Sequence, residues 1–169
     1  KETGTLELVL VSPVKPFWII LSKLTPYLVL SVINFSSVLL LAHYVMDVPV
    51  KGSIFLLSAA ALIFVGSSLG LGLLVSVISK TQKTAMLLCG MGLTMPTMML
   101  SGIIFPCESM PLALQIFSDI IPAKWFIITV KKIMIQGVGL QAIAKELTIL
   151  TGMMIFLLGI SIKKFKTRL

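Results

Sequence analysis

The sequence predicts an all-α membrane protein whose helices cross the bilayer several times. Two observations favour this class: the chain is poor in charged residues, and its apolar residues are gathered into long uncharged runs. Of the 169 residues, 57% are hydrophobic and 12% are charged, and the mean hydropathy is +1.10. Because about a quarter of the residues in a soluble domain are charged, we expect a polytopic helical membrane protein.

Four apolar runs are predicted to be transmembrane helices, at residues 24–46, 53–79, 85–105 and 143–162. A helix of about 20 apolar residues crosses the hydrocarbon core of a bilayer. The fourth run is uncharged only over residues 147–162, so we extend it back to Ile143, which places Lys145 and Glu146 near the interface. Short turns join the first three runs, and residues 106–142 form a longer connection.

The distribution of Lys and Arg predicts the orientation. With the N-terminal side in the cytoplasm, nine of these residues lie on that side and five lie on the other. Four crossings also return the chain to the side on which it starts. We therefore expect residues 1–23 and the tail, residues 163–169, to be cytoplasmic and residues 106–142 to be extracytoplasmic.

The long connection is predicted to contain a short amphipathic helix bounded by proline residues. Proline restricts its own backbone and that of the residue before it, so Pro106, Pro111 and Pro122 are expected helix boundaries. Between the last two, apolar and polar side chains fall on opposite faces of a helix. The apolar face holds Leu112, Ile116 and Ile120, and the polar face holds Gln115, Ser118 and Asp119. Such a helix lies in the membrane surface or dips back from it; an ordinary loop is the alternative.

A second short helix is predicted after Pro122 and is expected to end at Gly137 or Gly139. Trp125 is typical of a membrane interface. Three lysines fall roughly on one side of this helix, and we expect them to solvate a surface face; they are Lys124, Lys131 and Lys132.

Small residues in the second run indicate a helix-packing face. Gly66 and Gly70 form a G-x-x-x-G motif, and Gly72 repeats the spacing after Ser68. Small side chains let helix backbones approach closely in membranes. The pattern is compatible with a subunit or gate interface and equally with packing inside one subunit.

The chemistry of the chain excludes several functions. The uncharged runs hold no Asp, Glu, Lys or Arg, whereas ion-coupled transporters usually place ionisable groups there. No nucleophile–base pair, phosphate-binding loop or metal-ligand spacing is present, so we expect no catalysis, no metal and no cofactor. The net charge of +8 is scattered between apolar blocks, which does not indicate nucleic-acid binding.

Two stretches resemble the type-2 ATP-binding-cassette (ABC) exporter permeases. The first is GTLELVLVSPVKPFWIILSKLTPYL at residues 4–28, preceded by Glu2, which is similar to the cytoplasmic segment of that family. The second combines LSGIIFPCESMP (residues 100–111) with IPAKWF (residues 121–126), which is similar to the family's outer re-entrant segment. Lys131 and Gln136-Gly137 stand where the family often has Arg and then Lys-Gly, so the role of that arginine is not carried over.

The resemblance implies that residues 1–169 are the C-terminal part of a permease transmembrane domain, with the last four of six spans. Residues 2–11 would form a coupling helix held by a separate ATPase subunit. The coupling residues implied are Glu2, Gly4, Thr5, Leu6, Glu7, Leu10, Ser12 and Pro13. The outer re-entrant helices would close the path, with Ser101, Gly102, Phe105, Pro106, Met110, Pro111 and Pro122 as gate residues.

The implied partners are an ABC ATPase subunit, a second permease subunit that is identical or different, and membrane lipid. The implied location is a bacterial cytoplasmic (inner) membrane. The leading hypothesis is therefore the permease subunit of an ATP-driven exporter. A membrane scaffold or channel-like subunit without ATP coupling is the alternative, and a membrane-embedded enzyme is the weakest hypothesis because no catalytic constellation is present.

Overall fold

The computed structural model describes residues 16–45, 47, 51–79, 81–104 and 109–167. The regular structure in these residues is entirely helical, as the composition predicts. The elements are α1 (Pro16–Tyr44), α2 (Ile54–Ile78), α3 (Gln82–Leu87), a first π-helical segment (Leu88–Thr94), α4 (Met95–Leu100), α5 (Leu112–Asp119), α6 (Pro122–Lys131), a second π-helical segment (Lys132–Gln136) and α7 (Leu140–Thr167).

Several residues singled out in the sequence lie outside the described part of the chain. They include the whole predicted coupling set and two gate residues: Glu2, Gly4, Thr5, Leu6, Glu7, Leu10, Ser12, Pro13, Phe105 and Pro106. The remaining gate and packing residues are described.

Helix α1 is long and apolar but packs sparsely against the other helices. Its stretch Leu24–Tyr44 is long enough to cross a membrane, and none of the residues in its apolar window is buried. Within the described residues the helix spans Pro16–Tyr44 and so includes residues before the predicted start at residue 24. The exposed apolar surface of α1 is suited to lipid or to another helix.

Helices α2 and α7 form the main packed pair. Leu57 of α2 and Ile143 of α7 lie in one buried cluster near the start of both helices. Further along, the Ser67 hydroxyl of α2 donates to the carbonyl of Leu150 at 3.4 Å. Beyond that, the Ser161 hydroxyl of α7 donates to the carbonyl of Gly70 at 3.0 Å. Because residue numbers increase together along both helices, α2 and α7 are parallel.

Two glycines allow the backbones of this pair to approach closely. A Cβ built on Gly66 would lie 2.5 Å from Sδ of Met154, and one built on Gly70 would lie 3.1 Å from Cβ of Leu157. A Cβ built on Gly72 would meet no atom within 4 Å. The G-x-x-x-G motif therefore faces α7 of the same chain, and Gly72 takes no part in this contact.

Parallel neighbouring helices require the chain between them to return to its starting side. The helical run from Gln82 to Leu100 can provide this return, because the junctions of α3, the first π-helical segment and α4 all keep right-handed helical geometry. At about 1.5 Å per residue the run is roughly 27 Å long, which is close to the thickness of the hydrocarbon core. It ends at Leu100, short of the predicted residue 105, and Gly102 follows with a positive φ of 82°.

Three described helices, α1, α2 and α7, are individually long and apolar enough to cross a membrane. Helix α7 extends beyond the predicted residues 143–162 at both ends, from Leu140 to Thr167. Helix α5 and the run Pro122–Gln136 form a pair bent by 87°. Because two arms at nearly a right angle cannot both run across a bilayer, the Gln82–Leu100 run is the better candidate for the crossing predicted at residues 85–105.

The contact at Gly70 generates a stability prediction with a matched control. Gly70→Leu would force a side chain against Cβ of Leu157 and the backbone nitrogen of Leu158, at 3.1 and 3.3 Å from its Cβ. Overpacking of this kind costs about 1–3 kcal/mol, so we expect a lower unfolding temperature for the full-length protein in detergent. Gly72→Leu makes the same chemical change on the same helix in open space and should unfold close to the wild type. An equal loss in both variants would contradict the α2–α7 contact.

Candidate functional site

The bend between α5 and α6 is fixed by proline. Pro122 occupies the first turn of α6, and Ile121 before it has an extended backbone with φ −89° and ψ 117°. Proline disfavours the helical region for the preceding residue, which is why the chain cannot continue straight from α5. Pro111 stands immediately before α5 and its carbonyl accepts from the backbone N–H of Gln115. The predicted boundaries at Pro111 and Pro122 are thus present in the structure.

A polar cluster, which we call the bend cluster, holds the two sides of the bend together. The Lys124 ammonium donates to the Ser118 hydroxyl at 2.8 Å and to the Asp119 carboxylate at 2.6 Å. The indole N–H of Trp125 donates to the backbone carbonyl of Asp119 at 2.9 Å. The last carbonyls of a helix have no partner within it, and a cation near them is favourable. The bend cluster therefore caps the end of α5 with side chains from α6.

Helix α5 turns Ser118 and the half-buried Gln115 of its polar face toward the protein, whereas Asp119 is exposed. Ser118 is fully buried, whereas Leu112, Ile116 and Ile120 on the opposite face are 75%, 58% and 65% exposed. The predicted division into two faces is present, with the apolar face directed away from the chain. A water-soluble protein arranges such a helix the other way round, so this face is suited to lipid or to an apolar partner surface.

Helix α6 runs alongside α2 in the opposite direction. The Phe126 ring stacks on Phe64 of α2, with ring centroids 4.3 Å apart and planes 4° apart. Further along, the backbone N–H of Lys51, just before α2, donates to the carbonyl of Met134 at 3.2 Å. Since Phe64 lies about 15 Å along α2 from its start at 1.5 Å per residue, the bend lies level with the middle of α2.

The second π-helical segment ends at Gly137, as predicted. Gly137 has a φ of 66°, in the left-handed region that favours glycine, and its N–H donates to the carbonyl of Lys132. A Cβ at this position would also lie 3.1 Å from Cβ of Lys51. The turn to α7 therefore packs against the start of α2.

A second ion pair joins this segment to α7. The Lys132 ammonium donates to Oε1 of Glu146 at 2.8 Å and to the carbonyl of Ala142 at 3.3 Å. The Glu146 side chain is 7% exposed, and its Oε2 atom has no hydrogen-bond partner. The prediction that Lys124 and Lys132 only solvate a surface was wrong, because both have acidic partners; Lys131 is exposed.

The other predicted gate residues lie at the end of α4, before α5 and at the start of α6. Ser101 is buried and ends α4, and its hydroxyl donates to the carbonyl of Met98 at 3.5 Å. Met110 is half-buried, and its carbonyl accepts from the side-chain amide of Gln115 at 2.9 Å. Pro122 is buried at the bend. The structure thus brings Met110 and Pro111 to the start of α5 and places Pro122 at its far end.

The sequence reasoning missed the pairing of charges in this region. Asp119 and Lys124 are five residues apart across Pro122, a separation that no straight helix would bring together in this way. Glu146 lies next to Lys145 and immediately before the uncharged run at residues 147–162, and a carboxylate at the edge of an apolar run is a signal that it needs a partner. Within the described residues no three His, Cys, Asp or Glu side chains lie close enough to hold a metal ion.

The comparisons with known proteins identify a family. A family model described as "ABC-2 family transporter protein" matches residues 1–163. The chain is 30% identical over 168 residues to the probable multidrug ABC transporter permease YbhS of Escherichia coli, which covers 99% of this chain and 45% of YbhS. It is 33% identical over 146 residues to the inner membrane transport permease YhhJ of E. coli, covering 85% of this chain and 38% of YhhJ.

A eukaryotic relative is also similar. The chain is 33% identical over 143 residues to ABC transporter G family member 20 of Dictyostelium discoideum, covering 83% of this chain and 19% of that protein. The chain therefore spans less than half the length of these curated relatives. No solved structure matches the chain.

The Lys132–Glu146 pair generates a second stability prediction. Lys132→Met leaves a buried carboxylate without its cation, and breaking a buried pair in this way costs about 3 kcal/mol. Lys131→Met removes a neighbouring lysine that is exposed, and it should have little effect. We expect denaturation of the full-length protein to show a large loss for the first variant and recovery in the double variant Lys132→Met/Glu146→Met. Equal effects of the two single lysine variants would show that the pair does not stabilise the fold.

Proposed function

The chain belongs to the ABC-2 family of transporter permeases, and we propose that it is part of the permease subunit of an ATP-driven exporter. In this role it would form the substrate path, dock on a separate ATPase subunit and close the extracytoplasmic end of the path. The observation that carries this proposal is the family match over residues 1–163. The matched range includes both the proposed coupling segment, residues 2–11, and the bent helix pair α5–α6. The membrane location is supported by the three helices that are each long and apolar enough to cross a bilayer. The proposal has three steps, which concern energy coupling, the outer closure, and partners and location.

The first step concerns energy. The apolar runs at residues 24–46, 53–79, 85–105 and 147–162 contain no Asp, Glu, Lys or Arg, so they hold no chain of ionisable groups for an ion gradient to act on. We propose that the work of transport arrives from a partner that hydrolyses ATP, which the ABC-2 family match supports. We propose that residues 2–11 dock on this separate ATPase subunit, with Leu6 providing apolar contact and Glu7 providing charge. Ser12 and Pro13 would fix the angle to the following helix.

The second step concerns the outer closure. We propose that the bent pair α5–α6 is re-entrant and closes the extracytoplasmic end of the path. Its support is the 87° bend, the position of the bend beside the middle of α2, and the bend cluster that holds the two arms. A rigid bent element of this kind can move as a body when the helices beside it shift. The proposed gate residues are Ser101, Gly102, Phe105, Pro106, Met110, Pro111 and Pro122.

The third step concerns partners and location. We propose a second permease subunit, which the ABC-2 family match supports; the exposed Met86, Met91 and Met95 of the Gln82–Leu100 run, at 65–69%, offer it apolar surface. Lipid covers the remaining apolar faces. The basic bias of nine residues against five supports a cytoplasmic position for both ends in a bacterial inner membrane. A scaffold or channel-like subunit remains the competing function and differs in needing no ATPase.

The test of coupling uses the full-length permease expressed together with its ATPase. Leu6→Asp and Glu7→Arg should each abolish co-purification of the ATPase while membrane insertion is unchanged, because the docking face loses its apolar contact or reverses its charge. Gln82→Arg adds a charge at an exposed position on the same proposed side of the membrane and should leave co-purification intact. If the ATPase binds all three variants equally, the coupling role of residues 2–11 is wrong.

A further inference from the structure

Helix α1 carries a single carboxamide in the middle of its apolar stretch Leu24–Tyr44. At about 1.5 Å per residue, Asn34 is about 15 Å from either end of that stretch, which corresponds to the midplane of the hydrocarbon core. The side chain is exposed, and its amide makes no hydrogen bond within the described part of the chain. A polar group without a partner is costly in hydrocarbon, so Asn34 indicates a contact that these residues do not supply.

Asn34 belongs to a row of exposed side chains spaced alternately three and four residues apart, which we call the α1 seam. The row consists of Tyr27, Leu30, Asn34, Ser37, Leu41 and Tyr44. This is the spacing by which two helices pack in a left-handed coiled coil. The Ser37 hydroxyl donates to the backbone carbonyl of Asn34 at 2.8 Å. The α1 seam therefore has the pattern of a helix–helix contact with a polar centre.

The other sides of α1 differ from the α1 seam. Phe35 and Leu39 turn toward α2 and pack against the buried cluster that contains Leu57. At about 100° per residue this side lies roughly a third of a turn from the α1 seam. On a third side, Val29 and Ile33 are exposed and apolar, which suits lipid. Because the carboxamide falls on the α1 seam instead, the α1 seam is the side suited to a protein partner.

We propose that the α1 seam packs against a transmembrane helix of the same permease subunit, supplied by chain outside residues 1–169, and that this helix bonds the Asn34 carboxamide. A permease of the length of YbhS or YhhJ has enough further chain to supply it, since the matches cover 45% and 38% of those proteins. The partner helix presents an Asn, Gln, Ser or Thr side chain at the depth of Asn34. One polar position in such a contact fixes which residues face each other.

The burial of the long helices supports this assignment. None of the apolar window of α1 is buried, compared with 28% of the window in α2 and 17% in α7. The second permease subunit has apolar surface of its own on the Gln82–Leu100 run, where Met91 is 69% exposed. The α1 seam is therefore assigned to the remainder of the same subunit.

The first test measures the unfolding temperature of the full-length permease in lipid nanodiscs, without ATPase or nucleotide. Asn34→Leu removes the bond to the partner helix and should lower this temperature, whereas Asn34→Gln keeps an amide and should retain part of the stability. Ser36→Ala is the matched control, because its hydroxyl already donates to the carbonyl of Val32 at 2.8 Å, and it should unfold like the wild type.

The direction of the Asn34→Leu effect decides between protein and lipid. If Asn34 faced lipid, the variant would remove an uncompensated polar group from hydrocarbon and raise the unfolding temperature. A rise, or no change, would overturn the proposal.

The second test identifies what covers the α1 seam by photocross-linking. The photoreactive residue p-benzoylphenylalanine replaces either Leu30 in the α1 seam or its neighbour Val29, which are 63% and 55% exposed in this structure. After irradiation in nanodiscs, position 30 should cross-link to a transmembrane peptide from outside residues 1–169 in a band of monomer mass. Position 29, at nearly the same depth, should yield mainly lipid adducts.

Two other outcomes would contradict the proposed partner. A covalent dimer from position 30 would assign the α1 seam to a second copy of the permease, and lipid adducts alone from both positions would leave it facing lipid. Either result would overturn the proposal without bearing on ATPase coupling, because no ATPase is present in these experiments.

Discussion

The parallel contact between α2 and α7 determines the path of the rest of the chain. In a membrane, helices associate through close packing and through hydrogen bonds between helices, because lipid is as apolar as their side chains. Gly66 and Gly70 allow this approach, and Ser67 and Ser161 each donate to a carbonyl of the facing helix. Because α2 and α7 are parallel and adjacent, the segment that connects them has to cross the membrane in the opposite direction. The Gln82–Leu100 run meets that requirement.

The charged residues of this connection are placed in the protein by pairing. Lys124 is held by Asp119 and Ser118 at the bend, and Lys132 is held by Glu146 at the start of α7. An ion pair of this kind is weak evidence for stability, because desolvation offsets the attraction. The value of the two pairs is geometric: the first, whose Asp119 is half exposed, holds α5 to α6, and the second ties the segment after α6 to α7.

The helices and many of their boundaries could be predicted from the sequence, because hydrophobic run length and proline have direct physical consequences. Pro111 stands immediately before α5, and Pro122 begins α6, as predicted. Gly137 ends the second π-helical segment, also as predicted. The helix ends that depend on context were less predictable: α7 continues to Thr167 and the third run stops at Leu100. The partners of Lys124 and Lys132 were missed because pairing across a bend of 87° depends on tertiary geometry, which helical periodicity does not contain.

The return of the chain across the membrane between α2 and α7 can be measured directly by labelling single cysteines in intact cells. In the full-length protein without its native cysteines, Gln82→Cys and Gln141→Cys provide two exposed positions with the same chemical change, one after the end of α2 and one at the start of α7. A membrane-impermeant maleimide added outside should react with the cysteine at position 141 and should reach the cysteine at position 82 only after the membrane is opened. Reaction of both cysteines from the same side would contradict the crossing and, with it, the arrangement of the outer closure.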